Sequence, residues 1–132
     1  MRHLVIGATL AAVVSLVGCQ PAPPGPDGIL LRGSALAGPT CPVERDPPDP
    51  ACAERPVAGA EVRVVAVESG AEVARVTTDA DGAFGVELLP GRYRLVAQPV
   101  AGLMAAPAPL EVVLAAEQSP EPAVLAYDTG IR

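Results

Sequence analysis

From Ala60 onward, apolar and polar side chains alternate with a period of two, broken at short intervals by Gly, Pro and Asp. Residues 60–68 place Val62, Val64 and Ala66 on one side and Glu61 and Arg63 on the other, the alternation of a half-buried strand. Ser69-Gly70 turns the chain, and residues 71–78 return with Ala74 and Val76 facing inward. After Thr78-Asp79-Ala80-Asp81-Gly82, the residues Phe84, Val86 and Leu88 alternate with Gly85 and Glu87. Pro90-Gly91 suits the centre of a type II turn, where Pro sets φ and Gly allows φ > 0. Beyond it Tyr93, Leu95 and Ala97 face in, while Arg92, Arg94 and Gln98 face out. Residues 110–114 direct Leu110, Val112 and Leu114 inward, and residues 123–127 supply a last strand. Upstream, residues 29–36 read as a first strand whose Gly33 marks a bulge or a close backbone approach. Apolar residues fall on both of its faces, so its register stays open.

Short strands at intervals of about 10 residues, with turn chemistry between them, predict a sandwich. The expected fold is all-β: a single seven-stranded antiparallel β-sandwich over residues 28–132. Half of the 132 residues are apolar, chiefly Val, Leu and Ala, with Phe84, Tyr93 and Tyr127 as the aromatics. That composition builds one modest core from branched side chains.

The N-terminal pattern differs. Arg2 and His3 precede an apolar run over residues 4–17 and then small residues, the layout of a secretory signal. The run is too short to cross a hydrocarbon core of about 30 Å comfortably. Residues 20–27, QPAPPGPD, hold four prolines and predict a semi-extended tether. The sequence thus divides into a leader at 1–18, Cys19 with a Pro-rich linker at 19–27, and a domain at 28–132. Leu16-Val17-Gly18-Cys19 resembles the lipobox of bacterial lipoproteins. That resemblance implies cleavage before Cys19, lipid on its thiol, and a membrane partner reached through that lipid. The alternative is an ordinary cleaved signal with a cysteine at its end. Gln20 after the cysteine is compatible with an outer-membrane destination in a Gram-negative cell.

Between residues 37 and 59 lies a Pro-rich, charged loop containing Cys41 and Cys52. A loop of that length needs a constraint. Three cysteines, one assigned to lipid, leave a pair in an oxidising compartment, so a Cys41–Cys52 disulfide is expected. Zinc is disfavoured because the only His in the chain is His3.

Pro56-Val57-x-Gly59-Ala60-x-Val62, then Thr78-Asp79-Ala80-Asp81-Gly82-x-Phe84, then Leu89-Pro90-Gly91-x-Tyr93-x-Leu95 together resemble the carboxypeptidase regulatory-like domain. The resemblance implies an immunoglobulin- or prealbumin-like sandwich that serves as an accessory module. It implies no activity, because fold does not fix function.

Charge and missing residue types narrow the function further. The net charge is −6, and without Arg2 the chain has 8 basic against 15 acidic residues, which argues against a nucleic-acid partner. There is no Lys, Asn or Trp. Lysine chemistry, Trp-lined sugar platforms and the Lys–Asn isopeptide bonds of related adhesin domains are therefore excluded. Ser34, Ser69 and Ser119 have no His outside the leader to act as base. Asp79 and Asp81 form half of a calcium loop but lack the further ligands of a full one; a turn in which Asp bonds its own backbone is the favoured reading. No cofactor is expected. Tyr93 is placed for a tyrosine corner, and Arg32, Arg63, Arg75, Arg92 and Arg94 share an outer face with Glu61, Glu72 and Glu87. Val100, Leu103 and Met104 are expected to tuck under the sandwich edge, with an adhesive contact loop as the alternative. Ile131 is expected to pack on the domain and Arg132 to remain solvated. The sequence reads as a non-catalytic, lipid-anchored envelope domain that binds or positions another envelope component. A spacer lipoprotein, or a regulator in trans of an envelope hydrolase, are the alternatives.

Overall fold

The computed structural model describes residues 28–132. The leader at 1–18, Cys19 and the tether at 19–27 lie outside the described residues. Eight strands follow one another: β1 (Ile29–Gly38), β2 (Arg55–Pro56), β3 (Glu61–Ala66), β4 (Glu72–Thr77), β5 (Ala83–Leu88), β6 (Gly91–Ala97), β7 (Leu110–Leu114) and β8 (Ala123–Asp128). A single 3₁₀ turn, Pro50–Cys52, is the only helical element among the described residues. No helix among the described residues is long and apolar enough to cross a membrane.

The strands form two four-stranded sheets. One has the order β4-β3-β6-β7 and is antiparallel throughout. The other is built around β1, which pairs antiparallel with β5 along its first half and with β2 near its end. Its opposite edge pairs parallel with β8, from Gly33↔Ala123 to Gly38↔Asp128. Each of the seven expected strands is present, but the count among the described residues is eight, and the expected all-antiparallel arrangement fails because β8 pairs parallel with β1. β2 escapes notice in the sequence because two residues, one of them proline, carry no period. The parallel pair escapes because alternation fixes which face a residue takes and not which strand lies beside it.

Leu31, Ala35, Leu125 and Tyr127 from one sheet and Val62, Val64 and Leu95 from the other join in one buried cluster. Val62, Val64, Phe84, Leu88, Tyr93, Leu95 and Ala97 are buried as their alternation predicts, and Ala74, Val76, Leu110 and Val112 pack against them half-buried. Gly33 marks a close approach: a Cβ there would lie 2.3 Å from the Phe84 ring and 2.8 Å from the carbonyl oxygen of Ala123. The absence of a side chain lets β1 sit between its neighbours with the ring laid across it.

Tyr93 donates its hydroxyl to the carbonyl oxygen of Leu89 at 2.6 Å, the expected corner. Pro90-Gly91 does not form the expected type II turn. Gly91 has φ 157° and is already the first residue of β6, paired with Leu114.

The outer face of the β4-β3-β6-β7 sheet carries ion pairs of Arg63 with Glu72 at 3.3 Å and of Arg75 with Glu61 at 3.1 Å and Glu72 at 2.9 Å. Arg92 pairs with Glu111 on β7. Arg32 and Glu87 do not share this face as expected, because they lie on β1 and β5 of the other sheet, and neither they nor Arg94 make an ion pair among the described residues. Because the pairs are exposed, each contributes little.

Candidate functional site

The end of the molecule where β1 stops is organised by one buried hydroxyl. Thr78 is 4% exposed. Its Oγ1 donates to the Val57 carbonyl at 2.6 Å and accepts from the Ala60 N–H at 2.9 Å. The Thr78 backbone N–H donates to Ala60 O at 2.9 Å, and Gly59 N–H donates to Thr78 O at 3.0 Å. One side chain thereby holds the turn from β2 into β3. Sequence reasoning treated Thr78 only as the start of a turn motif; its signal is a lone hydroxyl where an inward residue belongs.

The adjoining Asp79–Gly82 turn is satisfied from within. Asp79 Oδ1 accepts the N–H groups of Asp81 and Ala83, each at 2.9 Å, and Gly82 N–H donates to Asp79 O at 3.0 Å. Gly82 has φ 73°, and its carbonyl accepts the Ala35 N–H at 2.8 Å. The Asp79 carboxylate is thus placed by turn chemistry, to which Asp81 contributes its N–H, and among the described residues no group of three or more His, Cys, Asp or Glu is gathered for a metal.

Three further segments meet here. Cys41 and Cys52 are disulfide-bonded, with their Cα atoms 5.3 Å apart. Inside that loop Asp49 caps the 3₁₀ turn by accepting from Ala51 N–H at 2.9 Å, and Thr40 donates its hydroxyl to Ala53 O at 3.2 Å. The loop at residues 98–109 is held by Tyr127, whose hydroxyl donates to Gln98 O at 2.7 Å, and by Met104 N–H, which donates to Asp128 O at 2.8 Å. Burial raises the pKa of the Tyr127 phenol, keeping it a donor. The tail is tied back by Thr129, whose N–H donates to Gly38 O at 3.2 Å and whose Oγ1 donates to Pro39 O.

Between these segments lies an open groove of about 500 Å³. Ala37, Val57, Val100, Leu103 and Ile131 give it apolar walls, while Thr40, Thr129 and Arg55 contribute its polar side chains. No carboxylate side chain lines it. A cleft of similar size, about 520 Å³, lies toward the start of β1 and is lined by both Arg32 and Glu117.

Of the candidate contact residues, Val100 and Leu103 are half-buried against the core and reach the groove. Met104 is 69% exposed, against the expectation that it tucks away. Its neighbour Ala105 makes the isolated antiparallel bridge to Asp128, and the Met104 sulfur lies 3.0 Å from where a Cβ on Gly130 would sit. Ile131 lines the groove at 37% exposure. Arg132 is not simply solvated; it pairs with Asp128 at 3.2 Å. That guanidinium, together with the Gly130 N–H at 2.7 Å, holds the Asp128 carboxyl below its ordinary pKa. Arg55 and Thr129 are groove residues that sequence reasoning missed, because their meeting depends on pairings far apart in the chain.

A sequence model of the carboxypeptidase regulatory-like domain matches residues 49–120, more than half of the chain. No curated protein matches it. Among solved structures, the chain is similar to the Bacillus anthracis TIE protein, with 14% identity and a TM-score of 0.51 over 76% of this chain and 17% of that one. It is also similar to a mutant of the shaft pilin SpaA from Lactobacillus rhamnosus GG, with 15% identity and a TM-score of 0.54 over 77% of this chain and 50% of that one. A second SpaA mutant gives 16% identity and a TM-score of 0.50. The chain spans half or less of each of these structures, and the likeness is one of fold.

Proposed function

The chain belongs to the carboxypeptidase regulatory-like domain family, and on that premise we propose that it is a non-catalytic, lipid-anchored envelope domain that binds or positions another envelope component. In this reading residues 1–18 are the leader, Cys19 carries the lipid, residues 19–27 form the tether, and residues 28–132 form an immunoglobulin- or prealbumin-like sandwich. The observation that carries it is the apolar groove walled by residues 55–58, which follow the disulfide-closed span, by the loop at residues 98–109 and by the tail at Thr129 and Ile131. Concave apolar surface with a few placed polar groups is the usual form of a binding site. The Cys41–Cys52 bond supports export to an oxidising compartment.

In-cell photo-crosslinking from position 58, an exposed residue of the groove, tests the binding reading against the same crosslinker at position 119. One dominant partner from position 58 alone supports binding. The same scatter of abundant neighbours from both positions supports a spacer lipoprotein instead. For the anchor, Cys19→Ala is expected to release the protein from membranes, and undiminished membrane retention would count against lipid at that position.

A further inference from the structure

The charge distribution around the groove narrows what it takes. The chain has 15 acidic residues, yet none contributes a side chain to the groove, whereas Arg55 does. Arg55 makes no ion pair among the described residues. The Asp128 carboxylate, on the neighbouring strand β8, is engaged by Arg132 and by the Gly130 N–H. The groove therefore presents one cation without a counter-charge beside apolar walls.

Two hydroxyls complete it. Thr40 Oγ1 donates to Ala53 O, and Thr129 Oγ1 donates to Pro39 O while accepting from Ile131 N–H. A hydroxyl has one proton to donate and two lone pairs with which to accept, so both retain acceptor capacity. A ligand that complements these groups carries a carboxylate, N–H donors and small apolar side chains. A fatty acid meets the first requirement but has no N–H to offer.

Resting on the binding reading above, we propose that the groove receives the free carboxyl terminus of an apolar peptide, with Arg55 holding the terminal carboxylate. The guanidinium fork matches a carboxylate in two parallel hydrogen bonds, and a volume of about 500 Å³ is in the range of ligand pockets.

The test is a titration of the full-length protein in detergent with N-acetyl-Ala-Ala-Val as free acid, with the same peptide as its C-terminal amide, and with octanoate, followed by amide resonances. The free acid is expected to shift resonances at residues 55–58, 100–103 and 129–131. The peptide amide should bind at least tenfold more weakly, as should the free acid to Arg55→Gln. Because Arg55 is exposed, that variant should keep the remaining spectrum. Equal binding of acid and amide, or an undiminished Arg55→Gln, overturns the carboxylate contact. Octanoate binding as tightly as the peptide overturns the peptide. If no ligand shifts the groove while position 58 crosslinks one dominant partner, this inference falls and the binding reading stands. If position 58 gives no specific partner, the binding reading falls on its own experiment.

Discussion

Replacing Gly82 by alanine tests how the acidic turn is locked to the rest of the domain. Gly82 has φ 73°, and an added Cβ would lie 2.6 Å from Ala35 O and 3.0 Å from both Val57 N and Pro56 Cβ. Two of those three atoms, Ala35 O and Val57 N, are the partners of one backbone hydrogen bond at 2.9 Å, and Gly82 itself is tied to β1 by a second, from Ala35 N–H to Gly82 O at 2.8 Å. The left-handed conformation costs a non-glycine residue about 1–2 kcal/mol. Displacing the turn weakens two hydrogen bonds of about 1 kcal/mol each. The total is about 3–4 kcal/mol, a large share of a typical stability of about 5–15 kcal/mol. Gly70 supplies the control: its φ is 69°, but a Cβ there meets nothing within 4 Å. Gly70→Ala then costs only the conformational part, about 1–2 kcal/mol. The reduced freedom of the unfolded chain is shared by both variants and cancels in their difference. Urea unfolding is the assay, with a slope of about 1–3 kcal/mol/M. Gly82→Ala should lie about 2 kcal/mol below Gly70→Ala. Equal midpoints for the two variants would refute the claim that the turn is packed against β1.

Three other expectations follow from the same geometry. Thr78→Val keeps the shape but leaves the Ala60 N–H without its hydroxyl acceptor, and should cost about 2–3 kcal/mol in thermal unfolding; a change below 0.5 kcal/mol would show that the turn into β3 holds itself. Cys41→Ser with Cys52→Ser opens a ring of sequence separation 11, so the domain should lose up to about 3 kcal/mol, read as a lowered melting temperature; an unchanged melting temperature would mean that the loop contributes nothing to stability. Hydrogen bonds from Arg75, Arg92 and Arg132 lower the pKa values of Glu72, Glu111 and Asp128 from ordinary values of 4.5, 4.5 and 3.8. Depressed carboxylates stabilise the fold above those ordinary values and lose that contribution as pH falls through the folded-state values. The urea midpoint should therefore drop below about pH 4.5, less steeply in high salt, and a flat or rising midpoint would contradict the pairing.

Legibility in the sequence followed distance along the chain. Strands β3 to β7 could be read from alternation because each residue's face is a local property, and Tyr93 announced its corner through Leu89 only four positions away. Thr78 was harder: its partners Val57 and Ala60 lie 21 and 18 positions back. The groove was harder still. Of the two loops that stood out as places where specificity could reside, the one at Val100–Met104 contributes Val100 and Leu103, whereas the Cys41–Cys52 span contributes no lining residue; Arg55, Thr129 and Ile131 join the groove only through the pairing of β1 with β2 and β8. Pro90-Gly91 misled because its composition suits a type II turn, whereas Gly91 is paired with Leu114 as the first residue of β6.

The parallel pairing of β1 with β8 has a consequence for the order of assembly. The pairs β3–β4 and β6–β7 close over short connections, whereas Gly33 must find Ala123 across 90 positions. Loop-closure entropy rises as (3/2)RT ln n, so that contact costs about 2 kcal/mol more to initiate than a ten-residue hairpin. β1, although first in the chain, should thus be among the last strands to settle, because one edge stays open until β8 has emerged. A transporter that delivers this chain end-first would hold the sheet incomplete until the last strand had passed through. Pulse-labelled hydrogen exchange should accordingly find β3 and β6 protected before β1.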